Sequence, residues 1–172
     1  MSVTNFLDAA WFPTCMRHKA QPELWMVGSM KGAPVEFMAE LKRAKAVCTG
    51  FVQDLGAVLR PHDIHIVPWE LPTGTRTRIP VALNHAQALV STKAAAICLP
   101  ELRDNENCIL VDDLREMGQA VNALLSDPDK RKRIADAGRN TFLQHFTRAS
   151  VQPRFQQFLE TLRMPRAMAA RA

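Results

Sequence analysis

The 172-residue sequence lacks any apolar stretch long enough to span a lipid bilayer. Its longest uninterrupted apolar run covers residues 94–99, whereas a spanning helix needs about 20 apolar residues. The amino terminus also lacks a basic segment followed by an apolar core, so no export signal is predicted. We therefore expect no transmembrane segment and a cytoplasmic location.

Cysteine is scarce and scattered. The four residues Cys15, Cys48, Cys98 and Cys108 show no C-x-x-C spacing. Three of the four lie in apolar stretches, which predicts small buried thiols. This pattern favours a reducing compartment, in agreement with a cytoplasmic location.

The composition excludes a disordered, collagen-like or coiled-coil chain, because 47% of the residues are hydrophobic and 23% are charged. The net charge of +5 is unevenly placed: residues 130–172 hold ten Lys or Arg and two acids. Such a basic end is typical either of the solvated faces of helices or of a contact with an anionic membrane or nucleic acid. Nucleic-acid binding is not expected, because the tail is nearly free of aromatic residues after Phe158.

Short apolar runs alternate with helical stretches along the chain. Near-continuous apolar strands of this kind indicate a parallel sheet with helices on both faces. We predict an α/β fold with a Rossmann-like open parallel sheet, formed by one domain over residues 1–162 and followed by a basic, disordered tail over 163–172. The five predicted strands lie in residues 24–28, 46–52, 64–69, 88–92 and 108–112.

The helices are marked by periodicity and by capping residues. Phe37, Leu41 and Ala44 recur at helical spacing, whereas residues 81–89 carry only a weak helical pattern. Asp113-x-x-Glu116 has the form of a capping box, and Asp127-Pro128 is typical of a helix start. A last helix, which completes a C-terminal helical run, carries Phe155, Phe158, Leu159 and Leu162, and Pro153 limits how early it can begin.

Two glycine turns are candidates for phosphate binding. Gly28 and Ser29 follow a predicted strand, but G-x-G-x-x-G is absent, so the signal for phosphate binding is weak and a plain turn is favoured here. In residues 73–78, Thr-Gly-Thr-Arg-Thr-Arg, backbone amides and arginines could together neutralise a diphosphate. A solvated loop remains the alternative for this segment.

Other chemistry has little support in the sequence. His62 and His65 would point to opposite sides of a strand and have no third ligand nearby, so no metal site is predicted. There is no G-x-S-x-G motif and no Ser/His/Asp or Cys/His pattern typical of a nucleophile.

Taken in order, several segments resemble the C-terminal domain of family 4 (group 1) glycosyltransferases of the GT-B fold. The resemblance covers nearly the whole chain, from about Asn5 to Leu162, and it depends on order and spacing instead of one decisive motif. The segments are residues 22–29, 47–55, 63–68, 74–78, 89–92, 104–113, 124–129 and 144–147.

The resemblance implies that this domain binds a nucleoside diphosphate sugar, with the acceptor held by another domain. It implies that the base contacts Phe51 and Val52, and that the diphosphate lies near the turns at Gly28 and Ser29 and at Gly74 and Thr75. No metal or other cofactor is implied. Arg76 and Arg78 are the expected catalytic residues, because their charge would stabilise the departing diphosphate.

The sequence departs from the family pattern in three places. The two glutamates of the family's E-x7-E motif fall at Thr73 and Val81, and valine cannot hold ribose hydroxyls. An acceptor domain is not present in the chain. Residues 5–12 resemble the first helix of the family's domain, so the strand that precedes this helix in the family, a central strand of the sheet, is missing. We expect one of three outcomes: the two strands that flank it close up, another chain fills the gap, or the start is truncated.

These observations support two functions from different classes. One is the donor-binding half of a glycosyltransferase, whose acceptor domain or a second copy of the chain covers the open sheet edge, with peripheral membrane contact through the basic end. The other is a non-catalytic interaction or regulatory module that retains the fold.

Overall fold

The computed structural model describes residues 2–163, in which five short β-strands all run in parallel pairs. Each of the five predicted segments contains one strand, and the α/β fold class is confirmed. The strands are β1 (Trp25–Val27), β2 (Val47–Gly50), β3 (Ile64–Val67), β4 (Ala88–Thr92) and β5 (Ile109–Val111).

Helices connect the strands and form the C-terminal run. None of those described is both long and apolar enough to cross a membrane. The helices are α1 (Ser2–Phe6), α2 (Val35–Arg43), α3 (Arg78–Asn84), α4 (Lys93–Ala96), α5 (Leu114–Ser126), α6 (Pro128–His145) and α7 (Arg148–Arg163). A π-helical segment (Leu7–Trp11) directly continues α1, and single 3₁₀ turns occupy Cys15–Arg17 and Leu55–Ala57.

The strands form two separate sheets instead of one. Among the described residues, β1 pairs with β2 and with no other strand, whereas β3, β4 and β5 form a three-stranded sheet in that order. The expectation that the strands flanking the missing position close up is therefore wrong, because β1 and β3 do not pair. Within residues 2–163, the parallel strands are thus divided between a two-stranded and a three-stranded sheet.

The core lies on both faces of the strands, as alternation along β4 shows. Ala88 and Val90 pack into a cluster with the π-helical segment and α5, whereas Leu89 packs on the other side with α3. All five residues of β4 are buried, which is typical of a central parallel strand covered on both faces.

Capping residues fix the starts of two helices as the sequence predicts. The Asp113 carboxylate accepts hydrogen bonds from the backbone N–H groups of Arg115 and Glu116, and Asp127 caps α6 through the N–H of Lys130. The capping box is modified, because Glu116 accepts from the N–H of Asp112 and not from that of Asp113.

Two helices differ from their predicted extent. α3 begins at Arg78 and ends at Asn84, so Pro80 lies in its first turn, where a missing N–H costs no helical hydrogen bond. α7 begins at Arg148, and Pro153 therefore lies inside the helix. Of the predicted tail, residues 164–172 lie outside the described part of the chain.

The apolar residues of the last helix form an exposed stripe on the domain surface. These side chains belong to neither core cluster. Helical periodicity predicts a common face for them, but it does not predict that this face is buried. The exposed residues are Val151, Phe155, Phe158, Leu159 and Leu162.

The prediction of buried thiols is only partly correct. Cys15 and Cys108 are buried, and burial raises the pKa of the Cys108 thiol to about 12, so it stays protonated at neutral pH. Cys48 and Cys98 are exposed: Cys48 lies in the edge strand β2, and Cys98 lies in the segment that follows α4.

A buried asparagine joins the loop before β5 to α6. The Asn107 amide donates to the Glu101 carbonyl (2.9 Å) and to the Thr141 hydroxyl (2.8 Å), and its oxygen accepts from the Arg103 N–H (2.8 Å). We expect Asn107→Ala to lower the free energy of unfolding by about 2–3 kcal/mol, because two backbone groups lose their partners. Urea denaturation monitored by circular dichroism measures the change.

A second asparagine serves as the control for this prediction. Asn140 is exposed on α6, the helix that Asn107 contacts through Thr141. Asn140→Ala should therefore change the free energy of unfolding by less than about 0.5 kcal/mol. Equal effects of the two substitutions would mean that the Asn107 hydrogen bonds do not stabilise the loop.

Candidate functional site

A cavity of about 720 Å³ opens at the carboxyl end of β3. In open parallel sheets, this edge is where ligands bind. The loop after β3 forms one wall, and the first turns of α1 and α2 form the opposite walls. The lining residues are Val3, Thr4, Asp8, Pro34, Glu36, Phe37, Glu40, Val67, Pro68, Trp69, Thr75, Arg76, Thr77 and Arg78.

Arg76 is held in place by its own loop. Its guanidinium carbon lies 3.9 Å from the centre of the Trp69 ring, and Nη2 donates to the Thr73 hydroxyl (3.0 Å) and to the Thr73 carbonyl. Stacking on an aromatic ring and hydrogen bonding to the loop pre-organise the planar cation. In the described part of the chain, these contacts do not use Nη1, which leaves its hydrogens for a ligand.

Hydrogen bonds connect the loop after β3, which contains Trp69, to neighbouring elements. The Thr92 hydroxyl donates to the Trp69 carbonyl and accepts from the N–H of Ala95 (3.2 Å), so it also caps α4. Across the cavity, the Asn5 amide donates to the Glu70 carboxylate (2.7 Å). The loop after β3 is thus fixed both to β4 and to α1.

The glycine turn beside Arg76 is open to solvent. Gly74 has a φ of +62°, a conformation that glycine adopts without strain, and a Cβ at this position would meet no atom within 4 Å. Thr75 and Arg78 are exposed and line the cavity. Two arginines and the free space above the turn allow an anionic group to approach this loop.

Three carboxylates also line the cavity and would oppose an anion. Two of them are already paired, because Arg43 lies 3.2 Å from Asp8 and 2.6 Å from Glu40. Glu36, in the first turn of α2, is exposed. The positive charge of the cavity is therefore concentrated on the wall formed by Arg76 and Arg78.

The other predicted site residues lie at the same edge but outside the cavity lining. Gly28 and Gly50 join the ends of β1 and β2 through a hydrogen bond of 3.1 Å. Ser29 accepts from the N–H of Lys31, as in an ordinary turn, while Phe51 is 82% exposed and Val52 is partly buried. The structure thus brings Thr75, Arg76 and Arg78 to the cavity wall. Gly74 precedes Thr75 in the same loop without lining the cavity, and Gly28, Ser29, Phe51 and Val52 lie beside it.

Sequence reasoning missed Trp69 and the walls formed by α1 and α2. Trp69 was assigned only to the end of a strand, although an aromatic residue at a carboxyl strand end, before a Gly- and Arg-containing loop, was an available signal. Val3, Thr4 and Phe37 come from distant segments. Their position at the cavity depends on tertiary packing, which local patterns do not show.

The two histidines considered as metal ligands have other partners. His62 pairs with Asp136 (3.1 Å), whereas His65 lies 2.8 Å from the Gln87 side-chain oxygen. Within residues 2–163, no group of three or more His, Cys, Asp or Glu side chains could hold a metal ion.

His65 should make folding sensitive to mild acid. Burial lowers the pKa of His65 below 6.5, the Gln87 hydrogen bond opposes that change, and the nearby charges of Arg78 and His85 reinforce it. The unfolded chain then binds the proton more readily, so stability is complete above pH 6.5 and decreases as the pH falls below it. We expect His65→Gln to reduce the pH dependence of the free energy of unfolding between about pH 7 and pH 5.

This prediction is checked by denaturant titrations of both proteins across that pH range. The limiting slope for one proton is about 1.4 kcal/mol per pH unit, so partial loss of it is measurable. An unchanged slope in the variant would assign the acid sensitivity to other groups.

Comparison with protein families identifies the chain. A profile described as glycosyl transferases group 1 matches residues 3–127. The chain belongs to this family. The resemblance found in the sequence is thereby confirmed, and the match includes the five strands and the loop that carries Arg76 and Arg78.

Solved structures of glycosyltransferases share the fold of this group 1 chain. Anabaena HepE in complex with UDP has 16% sequence identity and a TM-score of 0.76, over 92% of this chain and 44% of the HepE chain. HepE in complex with UDP-glucose gives 17% identity and a TM-score of 0.74, over the same shares. The C-terminal domain of Francisella tularensis LpcC has 21% sequence identity and a TM-score of 0.71, and the match covers 85% of this chain and 80% of the LpcC domain.

The group 1 chain thus spans less than half of the length of HepE. It corresponds closely in extent to the isolated C-terminal domain of LpcC. No curated protein matches it by sequence.

Proposed function

We propose that the chain is the donor-binding half of a group 1 glycosyltransferase and that it binds a nucleoside diphosphate sugar at the carboxyl edge of its strands. The observation that carries this proposal is the arginine-lined cavity at the end of β3, in a chain of this family. The UDP and UDP-glucose complexes of HepE, which shares the fold, support the choice of ligand class.

The diphosphate is proposed to lie against the loop that carries Gly74, Thr75, Arg76 and Arg78. The open space above Gly74 gives room for phosphate oxygens, and the two guanidinium groups supply charge-assisted hydrogen bonds. The base would extend towards Phe51 and Val52, where an exposed aromatic ring is available for stacking. Gly28 and Ser29 would border the ligand from the β1 side.

In the proposed transfer, the bond between the anomeric carbon of the sugar and the diphosphate oxygen breaks, and that oxygen keeps the electron pair. Arg76 and Arg78 stabilise the charge that develops on the diphosphate. The acceptor hydroxyl forms the new bond and loses its proton to a base supplied with the acceptor. No metal is part of this proposal, because the arginines provide the positive charge.

The acceptor would be held by a second domain or a separate polypeptide, since this chain spans less than half of the length of HepE. We propose a cytoplasmic location. The basic C-terminal end of the chain, which begins with Lys130, Arg131, Lys132 and Arg133 in the first turns of α6, is proposed to make a peripheral contact with an anionic membrane.

A second candidate is a non-catalytic module that keeps the fold. The loop geometry favours it, because the position of one family glutamate is taken by Thr73, which binds Arg76. Val81, at the position of the other, offers no acceptor for ribose hydroxyls. Such a module would retain the cavity but bind nucleotide sugars weakly or not at all.

Calorimetric titration separates the two candidates. The protein is titrated with UDP-glucose, UDP, GDP and ADP, each with and without EDTA. The donor-site proposal predicts saturable binding of at least one nucleotide below about 1 mM, corresponding to about 4 kcal/mol, and no effect of EDTA. Absence of binding to all of them would favour the non-catalytic module, and loss of binding in EDTA would contradict the proposed metal independence.

A further inference from the structure

We propose that Thr92 is a positioning residue for the candidate site. From its buried place at the end of β4, its hydroxyl sets the position of Trp69 and, through the Trp69 ring, that of the Arg76 guanidinium. Thr92 itself is not part of the cavity lining. The effect on Arg76 follows from contacts within the chain, whereas its consequence for ligand binding rests on the proposed nucleotide site.

Both hydrogen-bonding functions of the Thr92 hydroxyl are used. Thr92 is 1% exposed, so its hydroxyl cannot exchange these partners for bulk water. It donates to the Trp69 carbonyl and accepts from the N–H of Ala95 (3.2 Å). Because a β-branched side chain has few accessible rotamers, the hydroxyl is held in a defined direction. One side chain thus connects the end of β4 with the loop after β3 and with the start of α4.

This hydroxyl replaces a backbone donor that the sheet cannot supply. The last paired residues of β3 and β4 are Val67 and Ser91. Since alternate carbonyls of β3 face β4, the next one is that of Trp69, and in the same register it would accept from the N–H of Ala94. Ala94 lies in α4, where the chain has left the strand. The Thr92 hydroxyl therefore holds the β3 chain beyond the last ladder pair.

The Trp69 ring has no polar anchor of its own. Within residues 2–163, its indole Nε1 is buried and makes no hydrogen bond. The contact on the other side of the loop, from the Asn5 amide to the Glu70 carboxylate, joins exposed groups that water can solvate instead. The position of the ring consequently depends on its backbone, which the buried Thr92 hydroxyl holds.

The ring in turn determines where the Arg76 cation lies. The guanidinium carbon is 3.9 Å from the ring centre, and Nη2 donates to the Thr73 hydroxyl and carbonyl. In the described part of the chain, Nε of Arg76 is buried without a hydrogen bond. Hydrogen bonds from a guanidinium to a phosphate depend on the direction of its planar N–H groups. A shift of the Trp69 ring would therefore misalign the cation without changing its charge.

The first test is NMR of the free protein, in which the δ-methylene protons of Arg76 report the stack. An aromatic ring shifts protons above its face upfield, and Trp69→Leu provides the unstacked reference. We expect Thr92→Val, which keeps the branched shape but removes the hydroxyl, to lose most of this upfield shift. Thr92→Ser, which keeps the hydroxyl, should retain it.

Ser91 provides the matched control, because it is the neighbouring buried hydroxyl of β4 and donates to the Thr92 carbonyl instead of the loop. Ser91→Ala should leave the Arg76 signals at their wild-type positions. An equal change in Ser91→Ala and Thr92→Val would mean that any loosening of β4 disturbs the stack, and it would overturn a specific role of Thr92.

The second test is calorimetric titration with UDP-glucose. Thr92→Val should weaken binding by about 10-fold, the effect of one lost hydrogen bond, and Thr92→Ser should bind within about 2-fold of wild type. In an Arg76→Ala background, Thr92→Val should change the affinity by less than about 2-fold, because the group that it positions is gone. The same loss in both backgrounds would assign the effect to general destabilisation and overturn the proposal.

Three further results would also overturn it. These are an unchanged Arg76 shift in Thr92→Val, an equal loss of the shift in Thr92→Ser, and loss of the stack with wild-type affinity for UDP-glucose. Failure of the wild-type protein to bind any nucleotide would contradict the proposed function instead. The NMR comparison would then still decide whether Thr92 positions Arg76.

Discussion

Replacement of both Arg76 and Arg78 by alanine is expected to weaken UDP-glucose binding by at least about 100-fold. Hydrogen bonds to charged groups contribute about 1.5–3 kcal/mol each, and the double variant removes two guanidinium groups from the cavity wall. Both side chains lie beside Gly74, where a phosphate has room to approach. Calorimetric titration of wild type and variant under the same ionic strength measures the loss.

The control removes the same charge from the opposite edge of the strands. Arg60 and Arg103 are exposed and precede β3 and β5, at their amino ends. The Arg60→Ala/Arg103→Ala variant should bind UDP-glucose within about 2-fold of wild type, because exposed distant charges are screened. Equal losses in the two double variants would point to a general effect of net charge and contradict a specific anion site.

A conservative substitution tests the role of the stack on Trp69. Lysine keeps the charge of Arg76 but cannot form the planar stack or the two contacts of Nη2 with Thr73. If pre-organisation of the guanidinium contributes to binding, Arg76→Lys should fall between wild type and Arg76→Ala in affinity. Wild-type affinity of the lysine variant for UDP-glucose would assign the effect to charge alone.

Local patterns predicted the elements of the fold well because their determinants are local. The five apolar runs each contain a strand, and the carboxylates of Asp113 and Asp127 cap the helices that they were expected to start. Pro80 lies in the first turn of α3, as its missing N–H requires. Capping and strand length depend on residues within one or two turns of each other.

The features that the sequence did not predict depend on contacts between distant segments. The apolar stripe of α7 has helical periodicity, yet Phe155 and Phe158 are more than half exposed and belong to neither core cluster. Whether β1 and β3 would pair across the position of the missing first strand was left open among three alternatives, and the structure shows that they do not pair.

The candidate site was predicted in part. The loop of Gly74, Thr75, Arg76 and Arg78 was recognisable because glycine and arginine in one short segment indicate anion binding, and the structure places this loop at a cavity. Trp69 and the wall formed by α1 were not predicted, since only the folded chain brings residues 3 and 4 next to residues 75–78.

A buried isoleucine links this loop to the core, and its truncation should be strongly destabilising. Ile79 directly follows Arg78 and is fully buried with Val67, Leu83 and Leu89. We expect Ile79→Ala to lower the free energy of unfolding by about 2–5 kcal/mol, because the side chain leaves a cavity that close-packed neighbours cannot fill. Ile79→Val, which removes one methylene, should cost about 0.5–1.5 kcal/mol.

Ile97 provides the matched control for this series, because it is 60% exposed and Ile97→Ala should change the stability by less than about 0.5 kcal/mol. Urea denaturation of all four proteins orders them by buried volume if the packing argument holds. Equal effects at residues 79 and 97 would contradict it.

The position of Ile79 also bears on the candidate site. Since the backbone N–H of Ile79 donates to the Arg76 carbonyl (2.9 Å), burial of the Ile79 side chain fixes where α3 begins and hence where Arg76 and Arg78 lie.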